Sequence, residues 1–226
     1  MSQGLELIAK EFMSDDPATK SLRCYAEYDR YFRVNNVDPI SILEVGVHLG
    51  ESTKILSRGF PRAHIVALDL TAQKIDFSGF PNVSYMLCDQ RDAGRLEEII
   101  EREFPEGIDL VLDDASHIGA FTAQTFRTCY PRLKSGGVYV IEDWGTGYLA
   151  NWPDGAVYSE HTPEPADAEI PLRLPSHDYG MVGFVKSLVD LAHEAAMRDG
   201  MSGPNSAISQ IRRLEFTEGI CFVMKH

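Results

Sequence analysis

The chain has few cysteines and no long apolar run. Only four of its 226 residues are cysteines, and they are scattered without a C-x-x-C pair: Cys24, Cys88, Cys129 and Cys221. This spacing indicates neither a zinc site nor a disulfide framework, so we expect reduced thiols. No apolar stretch approaches the ~18–20 residues of a membrane span, and the first residues resemble neither a signal nor a transit peptide. We therefore expect a cytoplasmic protein without a membrane partner.

Basic residues are also scarce. The sequence contains 21 Lys and Arg against 34 Asp and Glu, which gives a formal net charge of −13. Because nucleic-acid binding requires clustered Lys and Arg that neutralise phosphates, nucleic acid is excluded as an expected partner. With 44% hydrophobic and 24% charged residues, the composition is that of a globular protein. The length favours one domain over two small ones.

From residue 41 onward, short apolar runs alternate with longer amphipathic stretches. This alternation is typical of a parallel sheet covered by helices. The predicted strands are 41–45, 64–68, 83–87, 109–112 and 137–141, and the predicted helices between them are 51–58, 92–104 and 120–133. Near the end, 213–217 and 220–224 flank a short Glu218-Gly219 turn and predict an antiparallel hairpin.

Two segments lie outside this regular pattern. Within an N-terminal helical segment that covers the first 38 residues, 17–32 predicts a helix with Tyr25, Tyr28 and Tyr31 at three-residue spacing, which we expect to pack against the sheet. Residues 145–180 are rich in Pro, Asp, Glu and Gly and only weakly periodic. Because long loops inside compact domains are usually functional or disordered, we interpret 145–180 as a substrate lid.

A glycine-containing turn follows the first predicted strand, in ILEVGVHLGEST. Glu44, Gly46 and Gly50 lie where glycine lets the backbone approach a ligand and where a helix N-terminus offers free N–H groups. The second strand ends in Asp69, about where an α/β nucleotide-binding fold places an acid against ribose hydroxyls. Together these residues indicate an adenosine ligand, and the alternative is a merely tight turn. The spacing is not G-x-G-x-x-G, which counts against a dinucleotide.

These residues, with Asp89-Gln90 after the third strand and the closing hairpin, resemble a class I S-adenosylmethionine-dependent methyltransferase. The resemblance implies a Rossmann-like α/β fold, with a mostly parallel seven-stranded sheet, a C-terminal antiparallel hairpin and helices on both faces. It implies Gly46 beside the methionine part of the cofactor, Asp69 on the ribose, and Asp89 and Gln90 around the adenine. His48 stands where many members have a glycine. The full set of predicted cofactor-binding residues is Glu44, Gly46, Gly50, Asp69, Asp89, Gln90 and Asp114.

Two later motifs carry acids to strand ends, namely VLDDASH after the fourth strand and IEDW after the fifth. They resemble the metal-dependent O-methyltransferases that act on sugars of natural products and polysaccharides, in which these strand ends hold magnesium. Independently, open parallel sheets place ligands beyond the carboxyl ends of their strands, where Asp114, Glu142 and Asp143 converge. Three carboxylates without a cation would repel, and hard oxygen ligands suit Mg²⁺ or Mn²⁺. We predict these three acids as metal ligands and interpret Asp113 as a helix cap or a solvated surface charge.

His117 follows Asp114 by three residues, on a turn at the same edge. A lone histidine is more often structural than catalytic, but this position favours a general base that takes the proton of an acceptor hydroxyl. Four further side chains are candidates for the pocket, but no spacing rule places them and we assign them no role: His48, Tyr148, His161 and His177.

The sequence therefore predicts a single methyltransferase domain over 1–226 that uses S-adenosylmethionine and a divalent metal. The expected reaction is O-methylation of a sugar or oligosaccharide hydroxyl, and a homo-oligomer is compatible with the sequence. A phenol or catechol is the alternative acceptor. Two other hypotheses stay open. An NAD-dependent oxidoreductase is disfavoured by the missing G-x-G-x-x-G, and a non-catalytic cofactor-binding module is disfavoured by His117 standing with the three acids.

Overall fold

The computed structural model describes residues 4–16, 19–161, 178–198 and 210–226. Its sheet has seven strands: β1 (Ser41–Val45), β2 (His64–Asp69), β3 (Val83–Leu87), β4 (Ile108–Asp113), β5 (Leu133–Glu142), β6 (Ile211–Phe216) and β7 (Ile220–Lys225). Their order is β3-β2-β1-β4-β5-β7-β6. The first five strands run parallel, and β7 is antiparallel to both β5 and β6. The predicted fold class is confirmed.

Helices cover both faces of the sheet. They are α1 (Leu5–Phe12), α2 (Leu22–Asn35), α3 (Glu51–Gly59), α4 (Ala93–Glu103), α5 (Gly119–Cys129), α6 (Pro153–His161) and α7 (Gly180–Arg198). Successive residues of β1 belong to opposite cores: Ile42 packs with α1, α2 and α3, whereas Leu43 packs with α4, α5 and α7. Because both faces are covered, β1 is buried at every position and its sequence is apolar apart from Ser41 and Glu44.

The strand register brings three strand ends level with one another. Val45 of β1 pairs with Asp113 of β4, and Asp113 pairs with Ile141 of β5. The residues that come directly after these three in the sequence are Gly46, Asp114 and Glu142. The glycine turn and the two acidic motifs therefore meet at one edge of the sheet, as the parallel arrangement predicts.

The N-terminal helical segment differs from the prediction in its boundaries. α2 begins at Leu22 rather than near residue 17, and a further helix, α1, precedes it. Ser21 is extended, and the Thr19 hydroxyl donates a hydrogen bond of 2.9 Å to Glu51 Oε2 in α3. The residues before α2 are thus attached to α3 instead of extending α2. The three tyrosines of α2 are all buried, as predicted.

The boundary between α5 and β5 also differs from the prediction. α5 ends at Cys129 and is followed by a short 3-10 helix, Tyr130–Arg132. Pro131 lies in that turn and has no N–H group to continue the α-helical hydrogen bonding. β5 then begins at Leu133, so the residues between the predicted helix (120–133) and the predicted strand (137–141) are already part of the strand.

Residues 145–180 are not one irregular loop, because they contain part of a 3-10 helix (Trp144–Tyr148), all of α6 and the start of α7. The Asp154 carboxylate of α6 accepts hydrogen bonds of 2.7 Å from the N–H groups of Gly119 and Met181. These belong to the first turns of α5 and α7, where N–H groups lack helical partners. Residues 162–177, with His177, lie outside the described residues, so the lid stays a prediction. Within the described ranges no helix has both the length and the apolarity to cross a membrane.

Candidate active site

A cavity of about 300 Å³ lies at the carboxyl ends of β1, β2 and β3. Four of the predicted cofactor-binding residues line it, namely Gly46, Asp69, Asp89 and Gln90. Leu70 and Phe121 add apolar surface that the sequence analysis did not identify. Pockets that bind small molecules begin at about this volume and combine apolar walls with a few polar groups. The cavity therefore suits the adenosine part of a cofactor.

Gly46 is required where the turn after β1 meets the turn after β4. Its φ is +95°, and a Cβ atom at this position would lie 2.1 Å from the carbonyl oxygen of Asp114. Gly50, the N-cap of α3, has a φ of +77°, and a Cβ atom there would lie 2.6 Å from Ile75 Cγ2. Both glycines thus serve close packing within the protein, and Gly46 places the cofactor cavity directly beside Asp114.

Asp69 holds the backbone of the glycine turn. Its Oδ2 atom accepts hydrogen bonds of 3.0 Å from the N–H groups of both Val47 and His48, and its Oδ1 atom accepts one of 3.0 Å from Thr71 N–H. The Thr71 hydroxyl also donates a hydrogen bond of 3.3 Å to Oδ1, so the roughly four acceptor sites of this carboxylate are all used, and a ribose hydroxyl would replace this longest bond. His48 has a φ of +49°, a conformation that glycine adopts more easily, so the turn keeps the backbone shape that a glycine would give.

Asp89 and Gln90, which follow β3, have different environments. The Arg91 guanidinium donates hydrogen bonds to both carboxylate oxygens of Asp89 and holds the pKa of that group below its usual range. Gln90 is buried. Its side-chain N–H donates a hydrogen bond of 3.1 Å to Thr125 Oγ1, and its side-chain carbonyl accepts one of 3.1 Å from Ser116 N–H. Gln90 therefore fixes the DDASH turn to α5 while it lines the cavity.

Glu44 lies behind the glycine turn and is not part of the cavity lining. It is fully buried in β1, and its carboxylate accepts hydrogen bonds from the hydroxyls of Ser52 and Thr53 in the first turn of α3. Burial raises the pKa of Glu44. The structure places this predicted cofactor residue where it orients the start of α3.

Asp114, His117 and Asp143 converge at the carboxyl ends of β4 and β5. Each offers one ligand atom, and these atoms all lie within 4.8 Å of one another. His117 Nε2 is 3.7 Å from Asp114 Oδ1 and 3.9 Å from Asp143 Oδ2. Burial and the nearby Asp114 carboxylate raise the pKa of Asp143. A bound cation would relieve this repulsion, so the cluster fits a metal.

The imidazole of His117 is oriented by packing and by an unusual backbone conformation. Its φ is +53°, which is uncommon outside glycine and occurs often at functional sites. The ring meets Trp152 edge-on, with centroids 5.3 Å apart. Nδ1 is buried and has no hydrogen-bond partner among the described residues. The nitrogen that faces the two carboxylates is therefore Nε2.

Glu142, the third predicted metal ligand, is almost fully buried beside this cluster. Its Oε1 atom accepts a 2.5 Å hydrogen bond from the Tyr28 hydroxyl and lies 3.0 Å from Lys20 Nζ. Burial raises the pKa of Glu142, and the charge of Asp114 raises it further. The structure thus brings Glu142 to the predicted edge, where protein groups already contact one of its oxygens.

Comparison with known proteins identifies the fold family. The chain is 30% identical to demethylmacrocin O-methyltransferase from Streptomyces fradiae over 206 residues, or 88% of this chain and 47% of that protein. It is 31% identical to mycinamicin VI 2''-O-methyltransferase from Micromonospora griseorubida over 209 residues, or 88% and 47%. The chain spans about half the length of these curated relatives. No protein-family model matches it.

A solved structure is also similar to this chain. MycE methyltransferase from the mycinamycin biosynthetic pathway, in complex with Mg, SAH and mycinamycin VI, superimposes with a TM-score of 0.73 at 26% identity, over 99% of this chain and 53% of that chain. The chain has the class I methyltransferase fold and is homologous to these O-methyltransferases. The family resemblance seen in the sequence is confirmed.

Lys20 is a residue of this candidate site that sequence reasoning missed. Its ammonium lies 2.7 Å from Asp114 Oδ2 and 3.0 Å from Glu142 Oε1, and its side chain is only 10% exposed. Burial alone would lower the pKa of an ammonium, but the two carboxylates outweigh that effect and raise the pKa of Lys20. One lysine in a polar segment carries no sequence signal for such contacts.

The interpretation of Asp113 as a helix cap or solvated charge is wrong. Asp113 is buried at the end of β4 and accepts a 2.6 Å hydrogen bond from the Tyr139 hydroxyl. Burial raises its pKa to about 7. Because successive side chains of a strand point to opposite sides, Asp113 faces the core while Asp114 reaches the metal cluster.

Proposed function

We propose that the chain transfers a methyl group from S-adenosylmethionine to a hydroxyl of a sugar, either on a small molecule or in an oligosaccharide. The observation that carries this proposal is the position of Asp114. Its backbone packs against Gly46 of the cofactor cavity, and its side chain belongs to the cluster with His117 and Asp143. A methyl donor and an acceptor hydroxyl bound at these two places would be neighbours, as transfer requires.

Mg²⁺ or Mn²⁺ would be held by Asp114, Asp143 and Glu142, since their hard oxygen atoms suit such ions. The raised pKa values of Glu142 and Asp143 support this assignment, because acids that crowd together without a cation resist ionisation. When bound, the ion supplies positive charge beside the acceptor hydroxyl and favours loss of its proton.

His117 acts as the general base in this proposal. Its Nε2 atom faces the place where the acceptor hydroxyl would lie and takes the hydroxyl proton. The acceptor oxygen forms a bond to the methyl carbon while the bond from that carbon to sulfur breaks, and S-adenosylhomocysteine leaves. Trp152 packs against the His117 ring, which limits its rotation and keeps water from that side.

The relatives favour a sugar as acceptor. Two relatives are named as O-methyltransferases of mycinamicin VI and of demethylmacrocin, and the MycE complex contains mycinamycin VI. A related enzyme from Streptomyces olivaceus is named for the 2' position of a rhamnosyl tetracenomycin. A catechol, whose adjacent oxygens also chelate divalent ions, is the acceptor that a test panel must exclude.

Calorimetry with S-adenosylhomocysteine and with NAD tests the cofactor part of this proposal. We expect S-adenosylhomocysteine to bind and NAD to bind weakly or not at all, because the turn lacks G-x-G-x-x-G. A structure with metal, S-adenosylhomocysteine and a methylated candidate sugar then identifies the position, since the reacting oxygen lies nearest to the sulfur. Preferential NAD binding would support the oxidoreductase instead.

We also propose that residues 1–226 form one methyltransferase unit that acts in the cytoplasm. The four cysteines are free and three of them are buried, which suits a reducing compartment. Homo-oligomerisation stays a prediction, and light scattering coupled to size-exclusion chromatography measures it directly.

A further inference from the structure

The ammonium of Lys20 lies between two of the three predicted metal ligands. It is 2.7 Å from Asp114 Oδ2 and 3.0 Å from Glu142 Oε1. Asp114 turns its other oxygen, Oδ1, toward His117. One carboxylate therefore faces an internal cation on one side and the predicted metal cluster on the other.

This arrangement compensates three charged groups that are expensive to bury singly. The side chains of Lys20, Asp114 and Glu142 are 10%, 20% and 4% exposed. Taking an ammonium or a carboxylate out of water costs several kcal/mol, which a close opposite charge offsets. A divalent ion on Asp114 and Glu142 would supply two positive charges where Lys20 supplies one. Because like charges this close repel, an ion on these carboxylates weakens the contacts of the ammonium with them.

The chain leaves Lys20 a place to move. Lys20 precedes α2, in a segment that is attached to the first turn of α3. The Ser14 N–H and the Thr19 hydroxyl each donate a hydrogen bond of 2.9 Å to the Glu51 carboxylate there. A small cavity of about 30 Å³, bordered by Gly46 and Glu51 among others, lies directly beside the Lys20 side chain. Because Asp114 also lines this cavity and Glu142 does not, the ammonium can shift from Glu142 toward Gly46 and Glu51 while its segment stays on α3.

We propose that Lys20 is an internal counter-ion that competes with the divalent metal for Asp114 and Glu142. In the metal-free enzyme it keeps the two carboxylates together and charged, and metal binding displaces it toward the glycine turn. This inference rests on the metal site of the proposed function. Its consequence is that the enzyme binds its metal more weakly than its carboxylates alone would allow.

Titration calorimetry with Mg²⁺, and with Mn²⁺ as a second probe, measures the competition. Lys20→Met keeps most of the volume of the side chain and removes the charge, and we expect it to bind either ion at least about tenfold more tightly than wild type. Lys10→Met is the matched control: Lys10 pairs with Glu6 on the exposed side of α1 at 3.6 Å, far along the chain from the acids. Its metal affinity should equal that of wild type.

A second measurement uses the wild-type protein and does not depend on whether the variant folds. Lysine acetylation followed by mass spectrometry gives the reactivity of each ammonium group. Lys20 should be protected without metal and react several-fold faster with saturating Mg²⁺, whereas the reactivity of Lys10 should not change.

The outcomes separate this inference from the proposed function. Metal binding by wild type, with unchanged or weaker binding by Lys20→Met or with no change in Lys20 reactivity, overturns the competition and leaves the metal site standing. Absence of Mg²⁺ and Mn²⁺ binding in both proteins overturns the metal site and the inference together. Tighter binding by the variant with faster acetylation in wild type supports both.

Discussion

Tyr28 in α2 and Glu142 at the end of β5 are 114 residues apart in the sequence and are joined by a buried hydrogen bond of 2.5 Å. This bond connects the N-terminal helices to the predicted metal site. Tyr31, one turn later in α2, is also buried, but its hydroxyl has no hydrogen-bond partner among the described residues. The two tyrosines therefore offer a matched pair of hydroxyl groups, one bonded to the site and one not.

Tyr28→Phe should lower the free energy of unfolding by about 1–3 kcal/mol, because a buried carboxylate loses a donor. Tyr31→Phe should change it by less than about 0.5 kcal/mol, since no bond is lost. Urea denaturation of the metal-free proteins measures both values. Equal losses in the two variants would show that the bond to Glu142 contributes nothing specific.

Asp69→Ala should weaken S-adenosylhomocysteine binding by roughly 1.5–3 kcal/mol, the range for hydrogen bonds to charged groups. The variant loses the acid predicted on the ribose and also the acceptor that fixes the N–H groups of Val47 and His48. Asp76→Ala is a suitable control, because the Asp76 carboxylate accepts from Ser78 N–H outside the cavity lining. Calorimetry that finds the same affinity in both variants would remove Asp69 from the cofactor site.

Substitutions of Asp114 and of His117 should impair different steps, the first metal binding and the second proton transfer. Asp114→Asn should weaken Mg²⁺ binding and recover part of its activity in excess metal, because the lost contribution is binding. His117→Ala should bind Mg²⁺ and cofactor nearly as wild type does while kcat falls about 10²–10⁴-fold, the usual range for a general base. His64→Ala, in β2 beside Glu103, is the control histidine. If His117→Ala loses metal affinity as Asp114→Asn does, His117 is a ligand and not the base.

Asp113 should make stability depend on pH. Its pKa is about 7 in the folded protein and about 3.9 in an unfolded chain. The folded state therefore holds a proton that the unfolded state releases, so this group's contribution is complete below about pH 4 and is lost as the pH rises to about 7. Asp113→Asn cannot ionise, so its stability relative to wild type should increase over this interval. Parallel curves of unfolding free energy against pH for the two proteins would contradict the raised pKa.

The sheet edge could be predicted from the sequence because local signals agree there. The apolar strands on either side of Gly46, Asp69 and Asp114 indicate a parallel sheet, and parallel strands collect their carboxyl ends at one edge. The structure confirms that convergence and places most of the predicted residues there. The reason for Gly46 was incomplete, since the backbone of Asp114, and not only a ligand, requires a residue without a side chain.

The contacts of Lys20 and Tyr28 with Glu142 could not be predicted, because they depend on how α2 packs across the sheet. The tyrosine spacing indicated a buried helix face, but it could not show which hydroxyl would find a carboxylate and which would find none. Asp113 and Asp114 are adjacent and chemically identical. Only the alternation of side chains at the end of β4 decides which one is buried. Such assignments need tertiary packing and not a local pattern.

Mass spectrometry of a methyl-transfer reaction tests the central claim most directly. The enzyme is incubated with S-adenosylmethionine that carries a deuterated methyl group and with a panel of sugars, glycosides and catechols, in Mg²⁺ or in EDTA. The account predicts a deuterated methyl ether on a sugar hydroxyl that forms in Mg²⁺, disappears in EDTA and is strongly reduced with His117→Ala. Transfer that proceeds equally in EDTA, or labelling of catechols alone, would contradict it.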